Sequence, residues 1–283
     1  MPGPTATEAH ARRTPATRTR PKPWRWPNLV AADAALAAVA WQALFAMAHG
    51  AEAGPTAAWT LGLSVWLVYT ADRLFDARRA AEDAPLSRRH AFARDHRRVL
   101  VALWAAALGT DAAIAFHGLA PVQLVRGAGL LGICLAYTLA RQTIRHRIFP
   151  KEALVAAIFA AGAVVFLPGV PWLGGGVAPF AWICWVNCLA VGVAERRLDH
   201  AMGDRASLAE ARIGPRFIAA LALAALPLAA VVGPPPPLAR ALAFAGLGLA
   251  CVAPATPKLD PDDVRALADG VIFAAPAAIL AAA

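Results

Sequence analysis

Charge is what this chain has least of. Of 283 residues only 16% are Asp, Glu, Lys or Arg while 59% are apolar. The charges come in clumps between long Ala, Leu, Val and Trp runs, which excludes an ordinary soluble globule of this length. No Walker loop, Gly-rich dinucleotide fingerprint, HExxH or GxSxG occurs, so none of the motif-based nucleotide, metalloprotease or hydrolase readings applies. The four cysteines, Cys134, Cys184, Cys188 and Cys251, include no CxxC and have no His companion. All four fall inside apolar runs and read as small hydrophobes rather than metal ligands or disulfides. Lysine is scarce, three against 24 arginines, the usage of a GC-rich genome.

What is present is a series of apolar runs near 29-49, 55-76, 99-117, 121-140, 153-168, 177-194, 216-233, 238-254 and 264-282. They predict an all-α, polytopic membrane protein: nine transmembrane helices bundled around a central cavity, formed by residues 29-283. Several runs fall short of the ~20 residues that cross the hydrocarbon, so their charged ends lie at or inside the membrane boundary. The first 28 residues, rich in Pro, Thr and Arg, read as a disordered cytoplasmic tail rather than a cleaved signal peptide, with Trp24 and Trp26 at the lipid headgroups.

The net charge of +9 belongs to loop asymmetry, not to a nucleic-acid surface. All 27 basic residues except Arg126 and Arg240 fall in the tail or at alternate connections, and the connections between them carry none. The positive-inside rule then places the N-terminus in the cytoplasm and the C-terminus outside, in a bacterial inner membrane.

Two of the charged ends match each other. "ADRLFD" (Ala71 to Asp76) closes the second run and "AERRLD" (Ala194 to Asp199) the sixth. Within each, the acids stand four residues apart and share a helical face. Parallel helices would bring Asp72, Asp76, Glu195 and Asp199 to one depth. Intrahelical salt bridges, such as Asp72 to Arg79 or Asp199 to Arg196, are the ordinary use of such acids. Against that use, carboxylates sit poorly at a helix C-terminus, and ionisable groups at the membrane boundary tend to mark a site.

On these residues the chain resembles the UbiA-type intramembrane prenyltransferases, nine-helix bundles with Asp-rich motifs at the ends of the second and sixth helices and a YxxxK element at the end of the fourth. "VYTADRLFD", "ERRLD" and "YTLAR" (Tyr137 to Arg141) stand at those three places. Val68 and Tyr69 replace the Asn-Asp that heads the first motif, Glu195 replaces an Asp, and Arg141 a Lys. The resemblance implies a transferase that moves a prenyl group from a prenyl diphosphate to an aromatic or lipophilic acceptor. It further implies Mg2+ held by Asp72, Asp76, Glu195 and Asp199, with Tyr137 and Arg141 donating to the diphosphate. Tyr69, Asn187, Arg73 and Arg196 are further candidates for substrate contact. The alternatives are an ion-coupled transporter that uses the acid pairs as a cation site, and a non-catalytic member of the same superfamily.

Other polar residues inside the runs read more plainly. Asp111 and Arg126 suggest a structural pair across the third and fourth runs. Asn187 lines the cavity or bonds between helices. Asp33 and Asp269, both near charged ends, either join the same cavity or cap a helix.

Overall fold

The structure is a computed structural model and describes residues 21–79, 86–143, 151–171, 175–201 and 213–283. Among these residues the chain is all helical, without a strand. A 3-10 turn over Pro23–Arg25 leads into α1 (Trp26–Leu29) and α2 (Ala32–His49). Then come α3 (Pro55–Arg79), the short α4 (Arg88–Asp95), α5 (Arg97–Gly118), α6 (Pro121–Thr143) and α7 (Lys151–Val164). After them follow α8 (Val177–Ala201), α9 (Pro215–Leu223), α10 (Ala225–Val232), α11 (Pro236–Ala255) and α12 (Pro261–Ala281).

Each apolar run coincides with a helix, except that 29-49 starts at the end of α1 and crosses the turn at Ala31, and that 216-233 is two. Pro227 has no N–H to return to the carbonyl of Leu223, so the helix breaks at Ala224. The Trp182 indole donates to the nearby Leu221 carbonyl at 2.8 Å. Among the described residues seven helical segments are long and apolar enough to cross a membrane: α2, α5, α6, α8, the α9–α10 pair, α11 and α12. That gives the chain the character of a multi-pass membrane protein. α3 falls short because Thr, Trp and Tyr, and then its charged end, dilute it, and α7 because it has only 14 residues.

The core lies where α2, α7, α8, α9, α11 and α12 meet. Trp41 stacks on Phe180 at 4.0 Å between centroids, and its indole donates to the Ile272 carbonyl at 2.9 Å, tying α2 to both α8 and α12. Small residues allow close approach elsewhere: a Cβ on Gly246 of α11 would stand 2.9 Å from the Ala222 carbonyl oxygen of α9. α3 packs between α2 and α5. By contrast no described side chain of α6 is fully buried; it meets the rest in part where Gln123 donates to the Phe166 carbonyl at 2.7 Å and Gly127 meets the Phe166 ring.

Residues 21–28, assigned by the sequence to the tail, carry the 3-10 turn and the start of α1, and the rest of that tail lies outside the described residues. Ala31, buried and left-handed at φ 60°, turns the chain sharply from α1 into α2. The expected Asp111–Arg126 pair does not form. Asp111 instead accepts from Ser64 Oγ at 2.7 Å, and Arg126 reaches the Leu167 carbonyl at 3.5 Å. Both helices run past each other's charge because a closer polar partner sits on α3 for one and on the turn after α7 for the other.

Candidate functional site

The starts of α2 and α12 and the ends of α3 and α8 meet at one end of the bundle, which is therefore its charged end. Here two partly buried polar networks form. In the first, the side-chain amide of Asn28 donates to Asp33 Oδ2 at 2.7 Å and to Asp269 Oδ2 at 3.2 Å. Asn187, about two turns before Glu195 on α8, donates to the other oxygen of Asp269 at 2.9 Å. One amide thus bridges two carboxylates from different helices, and Asp33 sits in the first turn of α2, where the helix dipole favours an anion. Oδ1 of Asp33 and Oδ1 of Asn187 are buried with no hydrogen-bond partner. Tyr69 lies partly buried within electrostatic range of both aspartates.

Arg73 belongs to the same network, but not as a free cation. Its side chain is 6% exposed, and its NH1 donates to the main-chain carbonyls of Asn28 and of Leu29, the latter at 3.0 Å. A guanidinium desolvated this far needs such acceptors, and two main-chain oxygens supply them without cancelling its charge. That charge faces Asp33 and Asp269, with Arg89 nearby.

The second network is built on Glu195, 4% exposed at its side chain. Arg265 of α12 grips it with both arms, Nε to Oε1 at 2.9 Å and NH2 to Oε2. Arg89 of α4 adds a third contact at 3.0 Å. The carboxylate is therefore held by two guanidinium groups from two helices. Its neighbour Arg196 differs: Nε and NH2 are buried and have no hydrogen-bond partner.

The other expected site residues are spread around this end. Asp72 is exposed on α3. Asp76, 42% exposed at its side chain, stands 3.6 Å from Nε2 of His90. His90 is buried on α4 and linked through Nδ1 to Ser87 Oγ at 2.8 Å. Burial, and then the charges of Arg89 and Arg73, push the His90 imidazole down to about 3, so it is neutral at pH 7 and its approach to Asp76 is not an ion pair. Tyr137 is half-buried on α6. The backbones of Arg141 and Asp199 lie on α6 and α8, with their side chains outside the described residues.

The described residues bring Asp33, Tyr69, Arg73, Asn187, Glu195 and Asp269 to one end, together with three residues the sequence reading missed: Asn28, Arg89 and Arg265. Asn28 had a signal of its own, an amide at the membrane edge just before the first apolar run. Among the described residues no group of three or more His, Cys, Asp or Glu stands close enough to hold a metal ion. No family model, no curated protein and no solved structure matches this chain.

Proposed function

We propose that this protein is a membrane-embedded transferase that moves a prenyl group from a prenyl diphosphate to an aromatic or other lipophilic acceptor. In this reading the diphosphate sits at the charged end of a nine-crossing bundle whose interior takes the isoprenoid chain. The observation that carries it is Arg196. A guanidinium with two nitrogens, Nε and NH2, buried and unsatisfied is costly to leave so. An anion that offers oxygens to a planar fork relieves that cost, and a diphosphate does so well. The adjacent acid cannot serve, because Glu195 is already gripped by Arg89 and Arg265.

The chemistry asked of the site is departure of diphosphate from an allylic carbon. Its barrier falls when fixed positive charge meets the negative charge developing on the leaving group. Arg196 supplies that charge, with Tyr137 and Arg141 as the further donors that the resemblance implies. The apolar helix faces keep water from the allylic cation until the acceptor adds. Magnesium, which the resemblance places on Asp72, Asp76, Glu195 and Asp199, does not fit the described carboxylates as a ready-made site. Glu195 is engaged by two cations, Asp72 is exposed, and Asp76 faces His90.

Two more crossings, by α3 and α7, complete the nine. Nine crossings set the termini on opposite sides, and the basic connections favour an N-terminus in the cytoplasm, so a reporter fused after Ala283 is expected to be extracytoplasmic. An inside C-terminus would mean that one of the two does not cross.

Asp33 and Asp269 favour a second reading, an ion-coupled carrier, since paired carboxylates within a bundle are what such a carrier needs. Purified protein incubated with prenyl diphosphates of several chain lengths, with and without magnesium, separates the two. The transferase reading expects diphosphate release, and at least tenfold weaker diphosphate binding in Arg196→Gln. Ion-driven uptake into vesicles that is lost in Asp33→Asn, with no diphosphate released, would give the site to a carrier. Neither activity would point to a non-catalytic member.

A further inference from the structure

Residues 22–30 do more than lead into α2. Three successive contacts pin them to the acids that open α12: Lys22 Nζ to Asp263 Oδ2 at 2.9 Å, Trp24 Nε1 to Asp263 Oδ1 at 3.1 Å, and Arg25 Nε to the same oxygen at 2.7 Å. Arg25 also approaches Asp260 at 3.4 Å and Asp262 at 3.7 Å. These acids sit where they do for a local reason. Asp260 caps α12, accepting from the Asp262 amide at 2.9 Å, and all three lie at the positive end of the helix dipole. The Arg25 side chain is only 4% exposed, although the segment that carries it lies at the edge of the fold.

Just past this latch the same segment reaches inward. Asn28 donates to Asp33 and Asp269, Arg73 takes the Asn28 and Leu29 carbonyls, and the Trp66 indole donates to the Val30 carbonyl at 2.8 Å. The segment ends at the left-handed turn of Ala31.

We propose that residues 22–30 are a strap that closes the charged end over the Asp33–Asp269 pair, hinged at Ala31 and held shut by the acids of α12. Opening it removes the Asn28 amide from both aspartates at once and frees Arg73 from its two carbonyl acceptors. The half-buried pair then opens further to water and gains beside it a cation without its two main-chain acceptors. The latch is ionic and partly exposed, with side-chain exposure of 50% at Lys22 and 45% at Asp260, so salt weakens it. None of this depends on the reaction proposed above.

The test uses the full chain in lipid nanodiscs. Trypsin cuts after Arg25 only when the strap is open, because that side chain is otherwise enclosed. Cleavage of the Arg25–Trp26 bond is expected to be slow in the wild type at low salt. At about 1 M salt, where the screening length falls to about 3 Å, and in Asp263→Asn, it is expected to be at least tenfold faster. The salt arm needs no variant and stands even if Asp263→Asn fails to fold. The cover is read separately at Cys188, next to Asn187 and within electrostatic range of Asp269. With Cys134, Cys184 and Cys251 changed to Ser, a membrane-impermeant thiol reagent is expected to label Cys188 faster under the same opening conditions. Equal cleavage with the latch intact and weakened, fast or slow, overturns the latch. Faster cleavage with unchanged Cys188 labelling overturns the cover.

Discussion

Removing one arm of the Glu195 network gives the sharpest prediction, because geometry ranks the outcomes. Arg265 makes two of the three contacts described above and is 18% exposed at its side chain, while Arg89 makes one and is 12% exposed. Breaking a buried ion pair by deleting one partner costs about 3–5 kcal/mol when the other charge is left alone. Here a second guanidinium remains, so Arg265→Met is expected to cost about 3 kcal/mol and Arg89→Met about 1.5 kcal/mol. Glu195→Gln keeps shape and some hydrogen bonding but leaves two cations facing each other, for a loss again of about 3 kcal/mol. The cycle of Glu195→Gln with Arg265→Met should then show a coupling of about 2 kcal/mol, since each change removes the other's reason to be costly. The assay is reversible unfolding from mixed micelles as the SDS fraction rises. A loss below about 0.5 kcal/mol for Arg265→Met, the range of a solvated surface pair, would refute the network as a structural centre.

Two further outcomes follow from local geometry. Burial holds His90 near 3 against an ordinary 6.5, so the unfolded chain takes up a proton that the fold refuses. The stability tied to this group is whole above pH 6.5 and is lost as the pH falls toward 3, by up to about 1.4 kcal/mol per unit. The same titration at several pH values should show that slope in the wild type and a flatter one in His90→Gln. At Gly246, Ala would press its Cβ on the Ala222 carbonyl, costing about 1–3 kcal/mol. Gly132 on α6 has open space around it, so Gly132→Ala should be neutral or stabilise by up to about 1 kcal/mol.

The helices were legible because a chain in lipid has little choice. Backbone groups must pair within the segment, so every apolar run had to be helical, and only the turn at Ala31 and the break before Pro227 escaped the hydropathy reading. The partners of each charge were not legible in the same way. Asp33, Asn187 and Asp269 could be singled out as polar residues among apolar ones, but that one amide from Asn28 joins two of them depends on the turn at Ala31. Glu195 was marked by the repeated acid pattern. Its actual partners, Arg89 and Arg265, lie 106 and 70 residues away, and what selects them is the rotation of α8 about its own axis, which packing along the whole bundle sets. Asp111 shows the same gap from the other side. It was assigned the basic residue at the right depth, and the fold gave it the serine that faced it.

The first motif's departure from the resembled pattern makes sense in this charge balance. Tyr69 stands where that pattern carries a carboxylate, and around Tyr69 lie Asp33 from α2 and Asp269 from α12. A third carboxylate would meet two like charges, each costing about 3 kcal/mol at ~5 Å and an effective dielectric of ~20. Arg73 would offset part of this, but its hydrogen bonds already go to the strap carbonyls. A phenol avoids the repulsion and can still donate to either acid. Where the resembled pattern has an acid on α3, this chain has acids on two neighbouring helices, and this end of the bundle is polar without it. On this account Tyr69 and the Asp33–Asp269 pair belong together, and a carboxylate at position 69 becomes tolerable only where a cation joins them.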